Sequence, residues 1–407
     1  VSTSSPPSPE LPSYEGLLAS REVMIFCGAG GVGKTTSAAA TAAMAAATLG
    51  GRVLVMTVDP ARRLATALGL DNFGNTVKEV SPDLFTEAGI QPHGQLFAAM
   101  LDTKQSWDDL VVRYASDEET AHLIMENPFY LNITGRFVNA HEFIAMERLY
   151  ELHQSGEYDL IIIDTPPTRN ALDFLNAPDR MVEFFSGKMF KLLTLPYRVG
   201  GKRMGRIVDM ASRPFYLLAD RVLGADFMQG LGEFLLHFHT MQDGFVQRAK
   251  DVKRLLRDHR TTFTVVTTLE SAPLREAEFF CQELEANNFP LGALICNRVF
   301  PGYLLDRDAA LVADQLCDSG EIVEKLMKEY PEDFPNRRML SHLLRTVGEN
   351  YQNFSSVAKR EAEERNELRN GVAGTSPTTI LSVPHFESDV HDLQGLLRIG
   401  SFLFATD

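Results

Sequence analysis

Seven short runs of β-branched or apolar residues punctuate the chain: Val23 to Cys27, Val53 to Val58, Leu96 to Leu101, Leu160 to Ile163, Phe263 to Thr267, Ala293 to Cys296 and Ile380 to Val383. Within each run the apolar positions are nearly continuous instead of alternating, the pattern of a strand covered on both faces. Helical patterns lie between them. Strands and helices in alternation predict an α/β fold, a doubly wound and mostly parallel sheet wrapped by helices. Two intervals, about 104–156 and about 178–260, are too long for simple crossovers, and both read as mostly helical insertions. Ser355 to Asn370 is a mixed-charge helical stretch, most simply a solvated face, and Gly371 to Thr379 is a Gly/Ser/Thr/Pro linker. Nine of the first thirteen residues are Ser or Pro. Residues 1–20 therefore read as a disordered tail ahead of one domain, 21–407. No internal repeat is found, so the fold is present once.

With 407 residues, 44% of them hydrophobic, the chain can bury a large core. A formal net charge of -15 repels phosphate backbones and anionic lipid, which argues against nucleic acid as a partner. Cys27, Cys281, Cys296 and Cys317 are too scattered for a disulfide framework or a C-x-x-C pair, which points to a reducing, cytoplasmic setting. The most apolar window, Thr35 to Leu49, is alanine-dominated and shorter than the ~20 residues that a bilayer core requires. The N-terminus lacks the basic-then-apolar order of a secretory signal.

The densest chemical signal is Gly28-Ala29-Gly30-Gly31-Val32-Gly33-Lys34-Thr35, which fits G-x-x-x-x-G-K-[ST] between a predicted strand and an alanine-rich helix. Glycines permit positive φ, so successive N–H groups can point into one concavity, and the helix N-terminus adds partial positive charge. Gly30, Gly31, Val32, Gly33, Lys34, Thr35 and Thr36 are the candidate phosphate contacts. Lys34 would reach the β- and γ-phosphates and act in catalysis; the Thr35 hydroxyl would ligate Mg²⁺. The plainer alternative is a tight strand-to-helix turn.

Asp59 closes one predicted strand and Asp164 another. In open α/β sheets ligands lie at the carboxyl ends of the strands, so both carboxylates would project toward the phosphates. Asp164 suits Mg²⁺, through water, and Asp59 suits orienting the attacking water. Either aspartate alone is as readily a helix N-cap.

Cys27 to Thr36, Thr57-Val58-Asp59-Pro60-Ala61 and Ile163-Asp164-Thr165-Pro166-Pro167-Thr168 resemble the P-loop, switch I and switch II of the arsenite-pump ATPase family. That family also includes the guided-entry ATPase that delivers tail-anchored membrane proteins. Order and spacing agree over nearly the whole chain. The resemblance implies that Asn297, in Leu294-Ile295-Cys296-Asn297-Arg298, recognises adenine, with Pro384 and Phe386 in the adenine loop. It also implies ATP and Mg²⁺ as cofactors, hydrolysis, and two subunits closing face to face over nucleotide.

One position departs from the pattern. Where members of the family carry a second lysine, which reaches the nucleotide of the opposite subunit, this chain has Ala29. Trans-acting arginines in the corresponding role are worth about 10³ to 10⁵ in rate, so the change should spare binding more than hydrolysis. Three readings stay open: a slow ATPase, a mixed dimer with a lysine-bearing relative, or substitution by Arg62, Arg63 or Arg169. The mixed dimer is preferred over a homodimer.

Between Met181 and Met241 lie six of the fourteen methionines, with Phe184, Phe185, Phe190, Phe215, Phe227, Phe234 and Phe238. Such a stretch suits an adaptable groove for a hydrophobic-helix or membrane-protein client, and equally the core of a helical subdomain, the reading preferred here. Trp107 reads as a core anchor, and Cys27 and Cys296 as small apolar residues of buried strands. The reading that follows is an ATP-driven switch whose helical insertions respond to nucleotide. Its competitors are a regulatory ATP-binding subunit with little turnover and a small-molecule kinase.

Overall fold

The computed structural model describes residues 13–58, 62–70, 76–128, 130, 140–165, 171–186, 234, 237, 241–334, 336–372 and 378–405. Its frame is an eight-stranded sheet: β1 Val23–Cys27, β2 Gly51–Thr57, β3 Lys78–Glu79, β4 Gly94–Met100, β5 Leu160–Asp164, β6 Thr261–Thr267, β7 Leu291–Val299 and β8 Thr379–Pro384. The strand order is β3-β4-β2-β5-β1-β6-β7-β8. All pairings are parallel except β3 with β4. Each predicted run became a strand, usually with a residue or two added at its ends. The exception in kind is β3, whose two polar residues carry no apolar signal; it is a short edge strand paired to β4.

Alternate residues of the strands enter two apolar layers, which explains the continuous apolar runs. Ile25, Cys27, Met56 and Ile163 pack on one face with Phe143, Leu149, Phe245 and Phe280. Met24, Phe26, Val55 and Ile162 pack on the other with Ala38, Ala42, Leu396 and Leu403. The helix Lys34–Thr48 is alanine-rich for a packing reason. Its buried face lies against the sheet while helix Leu393–Phe404 crosses it so closely that a Cβ at Gly400 would meet Met44 Cβ at 2.8 Å.

Within 104–156 the described residues form helices Thr103–Tyr114, Glu118–Glu126 and Ala140–Ser155. Trp107 anchors them: the indole is 2% exposed, with Phe143 and Phe245 each 6.2 Å away. For the second interval, helix Ala171–Ser186 begins ahead of Pro178 and runs through it, and Gln242–Leu256 leads back to β6. Most of the Met- and Phe-rich stretch between them lies outside the described residues; Phe234 and Met241 belong to the core.

Three expectations are corrected. The disordered tail does not extend to residue 20, because Tyr14–Ala19 is a helix, capped by Ser13, that buries Tyr14, Leu17 and Leu18. The charged helix is far longer than Ser355 to Asn370, spanning Arg337–Val372, so the linker cannot begin at Gly371. It belongs to a third helical excursion between β7 and β8, with helices Arg307–Cys317 and Gly320–Glu329. This excursion carries exposed apolar side chains, among them Tyr303, Leu311, Met339 and Leu343.

Candidate nucleotide site

The carboxyl end of β1 opens directly into the glycine loop. Gly28 has φ +146°, and a Cβ there would lie 2.1 Å from the Val266 carbonyl oxygen of β6, so no side chain fits. Gly33, at the N-cap of the following helix, has φ +96°, and a Cβ there would lie 2.1 Å from Asn297 Nδ2. That amide donates to the Val32 carbonyl at 2.8 Å, tying the end of β7 to the loop. Loop geometry and Asn297 therefore depend on one another. Gly30, Gly31 and Val32 complete the turn, with Val32 buried.

Lys34 is 6% exposed and donates from Nζ to the Ala29 carbonyl at 2.8 Å, so the ammonium is held over the loop. The Thr35 hydroxyl donates to Asp164 Oδ2. Thr57, which pairs with Asp164 across β2 and β5, donates its hydroxyl to the same oxygen at 3.1 Å. Thr165 is pinned by its N–H and its hydroxyl to the Phe26 carbonyl, at 3.2 and 2.8 Å. These contacts fix the Asp164 carboxylate, 1% exposed, beside the first turn of the loop helix. A carboxylate and a hydroxyl are hard oxygen donors of the kind Mg²⁺ takes together with waters and phosphate oxygens, so Thr35 and Asp164 fit that ion.

The loop lines a cavity of about 480 Å³. Gly31, Gly33, Lys34, Thr35 and Thr36 contribute to it, as do Asn297, which touches the loop, Pro384 and Phe386. Phe386 is braced from outside: the Arg398 guanidinium carbon lies 4.9 Å from its ring centroid and the Phe402 ring stands edge-on at 5.9 Å. The His385 N–H bonds the Val299 carbonyl at 2.9 Å, which continues the sheet pairing into this wall. Sequence reasoning missed Thr165, Arg298, His385 and His391, which also line the cavity. Adjacency to Asp164, Asn297 and Phe386 was the available signal for the first three, and His391 lies five residues after Phe386 in the stretch that resembles the family's adenine loop. Asp59 and Arg169 lie outside the described residues, as do the side chains of Arg62 and Arg63. The helix Arg62–Ala67 contributes Leu64 and Ala67 to the cavity.

Burial pushes the Cys27 thiol up to about 12, with the nearby Lys34 charge opposing the shift only weakly. It is a packing residue of β1, as is Cys296 of β7, which is fully buried.

A parallel sheet with a glycine loop between its central strand and an alanine-rich helix, and an acidic residue closing the adjacent strand, defines a P-loop nucleoside triphosphatase fold. The chain belongs to the anion-transporting ATPase family, whose model matches residues 21–344. It is similar to ATPase GET3 of Malassezia globosa, 26% identical over 329 residues that cover 79% of this chain and 86% of that protein. It is also similar to ATPase ARSA2 of Chlamydomonas reinhardtii, 28% identical over 71% of this chain and 72% of the relative. ATPase ASNA1 homolog 2 of Paramecium tetraurelia is 24% identical over 74% of this chain and 80% of its own length. Among the described residues no helix is long and apolar enough to cross a membrane.

Proposed function

We propose that the protein is a Mg²⁺-dependent ATP-binding and ATP-hydrolysing switch that acts as a dimer. The observation that carries this reading is one cavity lined both by the glycine loop and by Asn297, Pro384 and Phe386. Its volume is in the range of small-molecule sites. Lys34 and the loop N–H groups hold the phosphates, Thr35 and Asp164 hold the ion, Asp59 orients the attacking water and Asn297 reads the base. Mg²⁺ held there would neutralise the negative charge that develops on the phosphates during transfer.

Hydrolysis would relax the two segments that follow β2 and β5 and so move the helical insertions that meet a client or membrane partner. The support is connectivity. Helix Ala171–Ser186 starts seven residues after Asp164, and the Glu147–Arg248 pair, its carboxylate buried and its guanidinium partly so, joins the two helices that return from the insertions. Arg248 Nε is 2.7 and 2.9 Å from the two carboxylate oxygens.

Ala29 favours a mixed dimer in which a related subunit supplies the missing cation. The same residue supports a second reading, a regulatory subunit that binds ATP and hardly turns it over. Calorimetry with Mg·ATP tests the first step: binding is expected, and Lys34→Ala should abolish it. Unchanged affinity in Lys34→Ala removes the basis of the proposal. Turnover assays then separate the readings. Ala29→Lys should raise hydrolysis by the purified protein at least tenfold, given the 10³–10⁵ scale of such trans-acting cations; no gain favours the regulatory subunit.

A further inference from the structure

We propose that Arg298 contacts the nucleotide, its planar guanidinium lying against the face of the base. The inference rests on the reading of the cavity as a nucleotide site, and its own basis is the path of β7.

In a regular strand, successive side chains point to opposite faces. The alternation holds along β7 up to its end: Ala293 and Ile295 enter the layer shared with the loop helix, while Leu294 and Cys296 enter the opposite layer. Continued by one step, it sends Asn297 to the loop-helix side, where it meets Val32. One more step would send Arg298 to the other side, away from the cavity.

Arg298 nevertheless lines the cavity with Asn297. The cause is a bulge. Between the pairs Cys296↔Ser382 and Val299↔Pro384, β7 takes three steps where β8 takes two. The extra residue allows consecutive side chains to share a face, a use of bulges that recurs beside functional sites. Arg298 carries the strain of the bulge, with φ +59°. Only one other non-glycine residue among the described residues has positive φ, Asn288. Asn288 follows the C-cap of helix Ser271–Ala286, a place where asparagine commonly takes that conformation. Arg298 ends no helix, and arginine has no intrinsic preference for the left-handed region. Its N–H is held by Asn297 Oδ1 at 2.9 Å, so the residue that grips the loop also sets the turn that re-aims Arg298.

What a cation so placed can do follows from its neighbours. Pro384, His385 and Phe386 line the same cavity and offer no anion for a guanidinium; Asp389 also lines it, and among the described residues no salt bridge joins its carboxylate to Arg298. A purine presents a π-face, against which a planar guanidinium stacks with a cation–π gain that an ammonium matches less well. The cavity wall already contains that pairing once, in Arg398 over Phe386.

The experiment compares wild type, Arg298→Gly and Arg298→Lys, each assayed by calorimetry with Mg·ATP and with Mg·tripolyphosphate, which lacks the base, and by thermal unfolding of the protein without nucleotide. Arg298→Gly is expected to unfold at about the wild-type temperature, since relief of the positive-φ strain offsets the greater freedom of glycine in the unfolded chain. Its ATP affinity should fall about three- to thirtyfold, the range of cation–π contacts from exposed to desolvated, with tripolyphosphate affinity unchanged. Arg298→Lys should fall between the two. Full ATP affinity in Arg298→Gly overturns the proposal and leaves Arg298 a residue of the bulge only. Equal losses for ATP and tripolyphosphate also overturn it, placing the cation on the phosphates. A wild-type protein that binds neither ligand overturns the nucleotide reading itself, an outcome distinct from both.

Discussion

Thr35 and Thr57 lie 22 residues apart on different elements, yet both hydroxyls donate to one oxygen, Asp164 Oδ2. The relationship joins the loop helix, β2 and β5 at a single buried carboxylate. A carboxylate so shared is oriented before any ligand arrives, which is the condition for holding a metal ion in a defined place.

Asp164→Asn should uncouple nucleotide binding from Mg²⁺. Wild type is expected to bind ATP more tightly in Mg²⁺ than in EDTA, and the variant to show equal affinity in both. A variant that keeps the Mg²⁺ dependence would remove Asp164 from the metal site.

Gly33→Ala should damage both fold and site. The new Cβ would stand 2.1 Å from Asn297 Nδ2, on a backbone with φ +96°, so the amide must leave the Val32 carbonyl. The expected destabilisation is about 1–3 kcal/mol, the scale of such backbone strain, read by urea unfolding. ATP affinity should fall about tenfold or more, as loss of one contact near 1.4 kcal/mol implies.

The Glu147–Arg248 pair gives a pH test. Burial raises the Glu147 carboxyl above the ordinary range, and the facing Arg248 opposes that shift. Arg248→Met leaves the buried carboxylate without its guanidinium partner, at a cost of up to about 3–5 kcal/mol at neutral pH, the scale for breaking a buried pair. A carboxyl whose folded pKa is raised binds its proton more tightly folded than unfolded, so stability rises as pH falls through the interval between the two values. The deficit of Arg248→Met relative to wild type should therefore shrink between pH 7 and pH 5. A deficit independent of pH would assign the loss to packing over Tyr150, 4.2 Å from the guanidinium carbon.

Burial pushes the thiols of Cys27, Cys281 and Cys296 up to about 12, and only Cys317 is not fully buried. A maleimide at pH 7 should label one thiol per folded chain and four in guanidinium chloride, with peptide mapping placing the first at Cys317. Rapid labelling of Cys27 would show that the start of the loop opens in solution.

Much of the fold was legible because its signals are local. A five-residue apolar run such as Val23 to Cys27 becomes a strand wherever it is buried on both faces, and Gly28 to Thr35 specifies its own turn through glycine conformations and a helix N-terminus. The third helical excursion could have been anticipated, since the separation of Cys296 from Ile380 exceeds any simple crossover. Strand β3 could not: Lys78 and Glu79 are strand because β4 offers an open edge.

The chain alone, then, determined the layered α/β architecture, the glycine loop and the residues available around it, because backbone propensity and burial act over a few neighbouring positions. Tertiary structure decided which side chains face each other. That Thr57 shares Asp164 with Thr35, that Asn297 locks Gly33, and that Arg298 turns toward the cavity all depend on register between strands distant in sequence. A one-residue change of register reverses the face of every following side chain, and no local pattern records it.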